Sequence, residues 1–327
     1  MFCLRSFEAD INAILDSTFG VGEPLVGFPN HERAQMLALT IIQGMDHPMR
    51  MNHVKHRLKA GEPSIGTWLS LPSPEAAEQV SQLGFDWLVV DAEHNPVDIR
   101  TLAQMFSAMA ASGIAPMVRI PWNSPENFKR VLDAGAWGTV VPMVNSREEA
   151  ERAVQATRYH PLGNRSVGGG RHGISFGSSG AEYFSNANEQ VLLVLQIEHI
   201  DGVNNAEDIL SVSGVDACFI GPNDLAASMG LGLGVSLESE DPGLVEAIMH
   251  IRDTCVKHGV APGIHTSGAA AVNMRIKQGF QFCAMASELR YMIGFLKEDL
   301  ASIEWSPSDR TEIVQTEARE AGTTVRY

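Results

Sequence analysis

Trp87-Leu88-Val89-Val90-Asp91-Ala92-Glu93-His94 runs four apolar residues straight into charge. An unbroken apolar run of this length is a strand buried on both faces, and the acids that close it stand at its carboxyl end. The pattern recurs twice downstream. Val191-Leu192-Leu193-Val194-Leu195 leads into Gln196-Ile197-Glu198-His199, and Ala217-Cys218-Phe219-Ile220 leads into Gly221-Pro222-Asn223-Asp224-Leu225. Charge repeated at the ends of buried strands, in a chain that alternates strand with helix, is how a (β/α)8 TIM barrel builds an active site.

Working outward, strands are expected at 64–69, 86–91, 116–120, 138–142, 191–197, 215–220, 261–265 and 281–285. Helical periodicity fills the intervals from Pro74 to Leu83, Asp98 to Ala111, Pro125 to Ala134, Arg147 to Arg158 and Leu244 to His258. Ser73-Pro74, Asn95-Pro96 and Ser124-Pro125 carry the signals of a helix N-terminus. Eight such units imply a parallel sheet closed into an α/β barrel. The rival is a doubly wound sheet, which needs a glycine fingerprint after its first strand, where this chain has Leu69-Ser70-Leu71-Pro72.

The domain reads as 51–305. Residues 1–50 have weak periodicity and are expected to be an appended helical arm or a mis-assigned start, while 306–327 form a polar tail. Between 159 and 190 the pattern breaks at Gly168-Gly169-Gly170-Arg171-His172-Gly173. A long structureless loop is expected there, functional or mobile, on the carboxyl side of the barrel after the fourth strand. Its glycines satisfy G-x-G-x-x-G, but no strand precedes them in a βαβ unit. They are better read as letting backbone approach a ligand or letting a lid move.

Composition narrows the partners. A chain of 327 residues with 44% hydrophobic content is long enough for one large core, and its net charge of −15 leaves no basic surface for nucleic acid. Cys3, Cys218, Cys255 and Cys283 have no zinc or disulfide spacing, and no apolar stretch reaches membrane-spanning length. The expectation is a soluble protein of the reducing cytoplasm.

Glu198 and Asp224, at the mouths of consecutive strands, could hold a divalent cation through oxygen, leaving positions for water and substrate. Separately, Glu198 could be a solvated loop residue and Asp224 a cap on the short helix beginning at Leu225. Asp91 and His94 form a natural proton-transfer pair, with Glu93 in a supporting network, although Asp91 could instead bond loop amides. Arg119, in Met117-Val118-Arg119-Ile120, needs an anionic partner. It could brace Asp91 or Glu93, or face an anionic ligand and stabilise charge developing on oxygen. Amides at Gly221-Pro222-Asn223 open a helix and could accept a small carboxylate.

With these residues in place, the chain resembles the HpcH/HpaI family of pyruvate-dependent class II aldolases from about 52 to 300. The resemblance rests on Gly66-Thr67-Trp68-Leu69, Gly84-Phe85-Asp86-Trp87-Leu88 through His94, Val118-Arg119, Pro142-Met143-Val144, Arg158-Tyr159, Gln196-Ile197-Glu198 and Phe219 to Leu225. It implies a (β/α)8 barrel assembled as a hexamer, or trimer of dimers, with an exchanged C-terminal helix. It further implies that Glu198 and Asp224 ligate Mg²⁺, Mn²⁺ or Co²⁺, to which the oxygens of pyruvate bind. Arg119 would steady the enolate oxygen, His94 with Asp91 would serve the base step, and Trp68 and Gln196 would line the site. The glycine loop at Gly170 would meet the aldehyde half, and Asp133 would approach a neighbouring subunit's site.

The implied reaction is retro-aldol cleavage of a 4-hydroxy-2-oxo acid to pyruvate and an aldehyde, needing no Schiff-base lysine. The alternatives are an oxaloacetate decarboxylase or a macrophomate-synthase-like enzyme on the same site, a citrate-lyase-like enzyme lacking a clear CoA patch, and a silent metabolite-binding barrel. Tyr183 could enter the site or simply pack an amphipathic helix.

Overall fold

The computed structural model describes residues 49–303, so the expectations for the first 48 residues and for the polar tail lie outside the described residues. Eight parallel strands close into a barrel in sequence order. They are β1 (Ser64–Leu69), β2 (Trp87–Asp91), β3 (Ala115–Arg119), β4 (Gly138–Val141), β5 (Leu192–Ile197), β6 (Ala217–Ile220), β7 (Ala261–Thr266) and β8 (Phe282–Ser287). Each begins and ends within two residues of its expected position. The strands of β2, β4, β5 and β6 are buried at every residue, as apolar runs covered on both faces require. Closure is made by β8 against β1, where the register shifts between Gly66 and Trp68. A Cβ on Gly66 would stand 2.1 Å from the Trp87 ring, which stacks on Phe282 at 4.1 Å, so glycine is required at the seam.

The outer layer begins with α1 (His53–Lys59), α2 (Pro74–Ser81), α3 (Ile99–Met109), α4 (Pro125–Asp133) and α5 (Arg147–Thr157). Ser73 and Ser124 cap their helices by accepting the amides of Ala76 and Asn127, with proline in the first turn as expected. The Asn95-Pro96 signal misplaces its helix: α3 starts at Ile99, where Asp98 accepts from the Thr101 amide.

The stretch from 159 to 190 corrects a second expectation. Most of it is helical, as α6 (Arg171–Phe176) and α7 (Gly180–Gln190), and it lies at the amino ends of the strands rather than at their carboxyl ends. The reason is directional. It follows α5, which carries the chain back from the carboxyl mouth, so the chain emerges where strands begin. Arg158 at its start donates to the carbonyls of Val191 and Gly214 just before β5 and β6, and Arg171 donates to that of Ala134 before β4.

At that amino end α1 closes the barrel. Asn52 donates to the carbonyls of Trp137 and Gln190, and Lys55 Nζ reaches the Val191 carbonyl at 2.9 Å and Asp216 at 3.0 Å. Arg158 holds the other Asp216 oxygen at 2.7 Å. Burial pulls the Lys55 ammonium down to about 8, so this end is dry enough to penalise a charge even beside its carboxylate. Remaining helices are α8 (Ile200–Asn204), α9 (Ala206–Leu210), α10 (Pro222–Ser228), α11 (Pro242–His258), α12 (Ala269–Lys277) and α13 (Glu288–Ser302). No helix among the described residues is long and apolar enough to cross a membrane.

Candidate active site

The carboxyl ends of the strands surround a cavity of about 220 Å³. Strand geometry puts alternate side chains into it, so Trp68, Asp91, Arg119 and Gln196 arrive there from β1, β2, β3 and β5. His94, Gly221, Pro222, Asn223 and Asp224 complete the expected set on the same wall, with Glu198 buried just beyond β5. Gly170 and Asp133 are not brought to this cavity. Asp133 instead accepts from Arg165 at 2.9 Å and packs against Gly169, at the amino end of the barrel.

Arg119 is the hub. Its Nε and Nη2 donate to the two oxygens of Asp91 at 2.9 and 2.8 Å, a bidentate pair between neighbouring strands in direct register. Glu93 Oε2 lies 3.1 Å from Nε but out of hydrogen-bonding line. The Arg119 Cζ sits 4.5 Å over the ring of Trp68. Nη1 has no acceptor among the described residues and is not a buried orphan, so it faces the cavity.

Asp91 spends its remaining capacity on the amides of Glu93 and His94 and on Asn95 Nδ2. Burial raises its pKa, but the Arg119 pair outweighs this and holds Asp91 below the usual carboxylate range. The expected Asp91–His94 pair is therefore not formed through the imidazole. Asp91 binds the His94 backbone, and the exposed ring lies 3.6 Å from Glu93. Sequence adjacency could not show which acid the ring would face.

Glu198 accepts from the Met143 amide at 3.0 Å and, through a short contact, from Gln196 Nε2. Met143 adopts φ +53, a strained conformation for a residue with a side chain, while presenting that amide. Burial first, and the neighbouring Asp224 charge second, push the Glu198 carboxyl up to about 7. Glu93 is also raised, by burial and by the charges of Asp91 and Asp224, despite the opposing pull of Arg119 and His94. These acids crowd around a single guanidinium.

That surplus of negative charge, together with the partnerless buried Oε1 of Gln196, fits a divalent cation between Glu198 and Asp224. No cluster of three or more His, Cys, Asp or Glu that could hold a metal exists among the described residues, so a zinc-type cage is not what the donors offer. Two carboxylates with open positions suit Mg²⁺ or Mn²⁺.

A Cβ on Gly221 would meet Glu198 Oε2 at 2.6 Å, so Gly221→Ala should displace that carboxylate and weaken Mn²⁺ binding roughly tenfold or more, as titration calorimetry would read. Glu198 has a raised pKa, so the cation-free native protein keeps this proton up to about pH 7, whereas the unfolded chain releases it near 4.5. Native stability without cation accordingly falls as pH rises through that window. A bound cation must displace the proton, so the rise in Tm given by fixed Mn²⁺ should be larger at pH 8 than at pH 5.5. Equal increments at both would exclude Glu198 as a ligand.

Sequence reasoning missed His265 on the wall. Trp68 Nε1 donates to His265 Nδ1 at 3.0 Å, which places the ring proton on Nε2. Burial first, then the charges of Arg119 and Arg290, pull His265 down to about 4, so it is neutral. Its signal was present: it closes an apolar strand as the acids do. Ser70, Leu237 and Ser287 also line the cavity. Tyr183 does not enter it; it is fully buried at the amino end, stacked on His172 and bonded to Arg165.

Residues 64–294 match the family model described as HpcH/HpaI aldolase/citrate lyase. A 5-keto-4-deoxy-D-glucarate aldolase of Shigella boydii serotype 18 is 39% identical over 242 residues, covering 74% of this chain and 92% of that protein. Among solved structures, an HpcH/HpaI aldolase/citrate lyase family protein from Burkholderia cenocepacia is 34% identical with TM-score 0.71, the match covering 78% of this chain and 100% of that one. An HpcH/HpaI aldolase from Desulfitobacterium hafniense is 29% identical with TM-score 0.72, covering 80% and 99%.

Proposed function

This chain belongs to the HpcH/HpaI aldolase/citrate lyase family, and from that premise we propose that it is a divalent-cation-dependent aldolase cleaving a 4-hydroxy-2-oxo acid to pyruvate and an aldehyde. The observation that carries this reading is Asp224 in the cavity wall with the Glu198 carboxylate buried against the lining residues Gln196 and Gly221, beside an arginine with a free N–H and with no lysine among the lining residues. Lys129 and Lys277 are exposed on helices, so a Schiff base has no candidate at the cavity.

The chemistry follows from the bond that must break. Removing the C4 hydroxyl proton and cleaving C3–C4 sends an electron pair onto the 2-oxo oxygen. Glu198 and Asp224 would hold a divalent cation, which would supply Lewis acidity for that developing charge. Arg119 Nη1 donates to the 2-oxo oxygen, with the guanidinium held to Asp91 by two parallel bonds. His94 takes the hydroxyl proton, and Glu93, 3.6 Å from its Nε2, stabilises the imidazolium. Asn223 and Asp224, in the first turn of α10, have unspent amides for the substrate carboxylate.

The relative's substrate name supports the substrate class. Counted from its other end, a 5-keto-4-deoxy hexarate is a 4-hydroxy-2-oxo acid. Sugar diacids of that kind are therefore the first candidates.

Assembly belongs to the same proposal. No residue of α13 is buried, and Phe295, Leu296 and Leu300 are exposed on it, which supports a homo-oligomer covering this helix. In a hexamer Asp133 and the loop at Gly170 would meet a neighbour's cavity. Light scattering of the purified protein reads the mass directly, and a monomer would remove this part of the reading.

The test of function is pyruvate release from a panel of 4-hydroxy-2-oxo acids and from oxaloacetate, each with EDTA and with restored Mn²⁺. Chelator-sensitive release from a hydroxy-oxo acid supports the aldolase. Release confined to oxaloacetate replaces it with a decarboxylase, and silence throughout favours a metabolite-binding barrel.

A further inference from the structure

His265 has no part in the chemistry above, yet it stands next to the last residue of β7, on the cavity wall. Its Nδ1 accepts the indole N–H of Trp68 at 3.0 Å, with the two rings edge to face at 6.1 Å and 77°. Phe219 meets the Trp68 ring from β6, also edge to face, at 5.5 Å. On the cavity side the Arg119 guanidinium rests 4.5 Å above the same ring.

The bidentate clamp from Asp91 fixes Arg119 along two parallel bonds and leaves it free to tilt about the line joining them. The face of Trp68 blocks that tilt, provided the indole does not turn. Apolar packing alone lets an aromatic ring shift by small angles, whereas a hydrogen bond to its only donor fixes its plane. We propose that His265 is a positioning residue: by accepting the Trp68 indole N–H it holds the ring against which Arg119 rests, and so sets where Arg119 Nη1 meets the substrate oxygen. The identity of that oxygen rests on the aldolase reading; the His265–Trp68–Arg119 chain does not.

The choice of residue has a reason. A carboxylate at this position would also accept the indole N–H, but its charge would compete with Asp91 for the guanidinium. A neutral imidazole accepts without that pull, and burial beside Arg119 and Arg290 keeps it neutral.

The variants are His265→Leu, which has no acceptor, and His265→Asn, whose carbonyl oxygen falls near the position of Nδ1. Two readouts need no substrate: the Trp68 indole and Arg119 Nε–H resonances of ¹⁵N-labelled protein, identified by their loss in Trp68→Phe and Arg119→Lys. The third is exchange of the methyl protons of pyruvate in D₂O with Mg²⁺, which reports enolate formation without any aldehyde. His265→Leu should move both resonances and lower kcat for exchange roughly 10- to 100-fold, with KM changed less than about threefold, and His265→Asn should reverse these effects. An Arg119 resonance unmoved in His265→Leu, a loss confined to KM, or no recovery in His265→Asn overturns the proposal. If the unaltered protein exchanges no pyruvate protons, the aldolase reading fails, and the two resonances alone decide the role of His265.

Discussion

Asp224→Ala should abolish the proposed cation-dependent pyruvate release, by about 10³-fold or more, and should leave the barrel folded. Asp224 is exposed in the first turn of α10, where it makes no hydrogen bond among the described residues, so its removal opens no cavity. What is lost is one of the two carboxylates proposed to hold the cation, and excess Mn²⁺ should recover little because Glu198 alone cannot organise it. Relief of the Asp224 charge also removes one of the influences that raise Glu198, second only to burial. The variant should therefore unfold at a temperature equal to or slightly above that of the parent protein when both are free of cation. Activity surviving in Asp224→Ala would remove the ligand assignment and with it the proposed mechanism.

Arg119→Lys is the second large effect, expected at about 10²- to 10³-fold in kcat. The positive charge survives but the fork does not. An ammonium cannot span both Asp91 oxygens at 2.9 and 2.8 Å, lie flat on Trp68 and still aim an N–H at the substrate. KM should change less than kcat, because charge attraction to an anionic substrate remains while the donor to the developing oxyanion is misplaced. Arg119→Ala should additionally lose about 3–5 kcal/mol of stability, since Asp91 would be left buried without its partner. Chemical denaturation separates the two variants. Near-unaltered kinetics in Arg119→Lys would count against an oriented donor.

Much of this molecule is legible in its sequence because parallel strands covered on both faces must be apolar throughout. Runs such as Val191 to Leu195 have no other reading in a chain of alternating elements, and the charge that ends each run has to stand at the mouth. That logic brings Asp91, Arg119, Gln196, Glu198 and Asp224 to one place. It fails where the determinant is direction or a contact through space. The short helices α6 and α7 are rich in Gly, Ser and Asn, so they read as loop, and their place at the opposite end follows only from counting the reversals of the chain. The His94 ring turns to Glu93 because Asp91 is already occupied by Arg119, which no spacing reveals. His265 is uncharged, so a search for charge at strand ends passes over it. The φ of +53 at Met143, which aims an amide at Glu198, leaves no trace in residue type.

The plug at the amino end has a consequence for how such a protein can change. Asn52, Lys55, Arg158 and Asp216 tie α1 to the starts of β5 and β6, a barrel's length from the residues that would handle substrate. Substitutions at Ser70 or Leu237 can then reshape the cavity without drawing on the contacts that keep the barrel closed. Evolvability is built into the architecture: one end conserves the fold while the other is open to divergence, and laboratory selection for new aldehyde scope has the same two positions from which to begin.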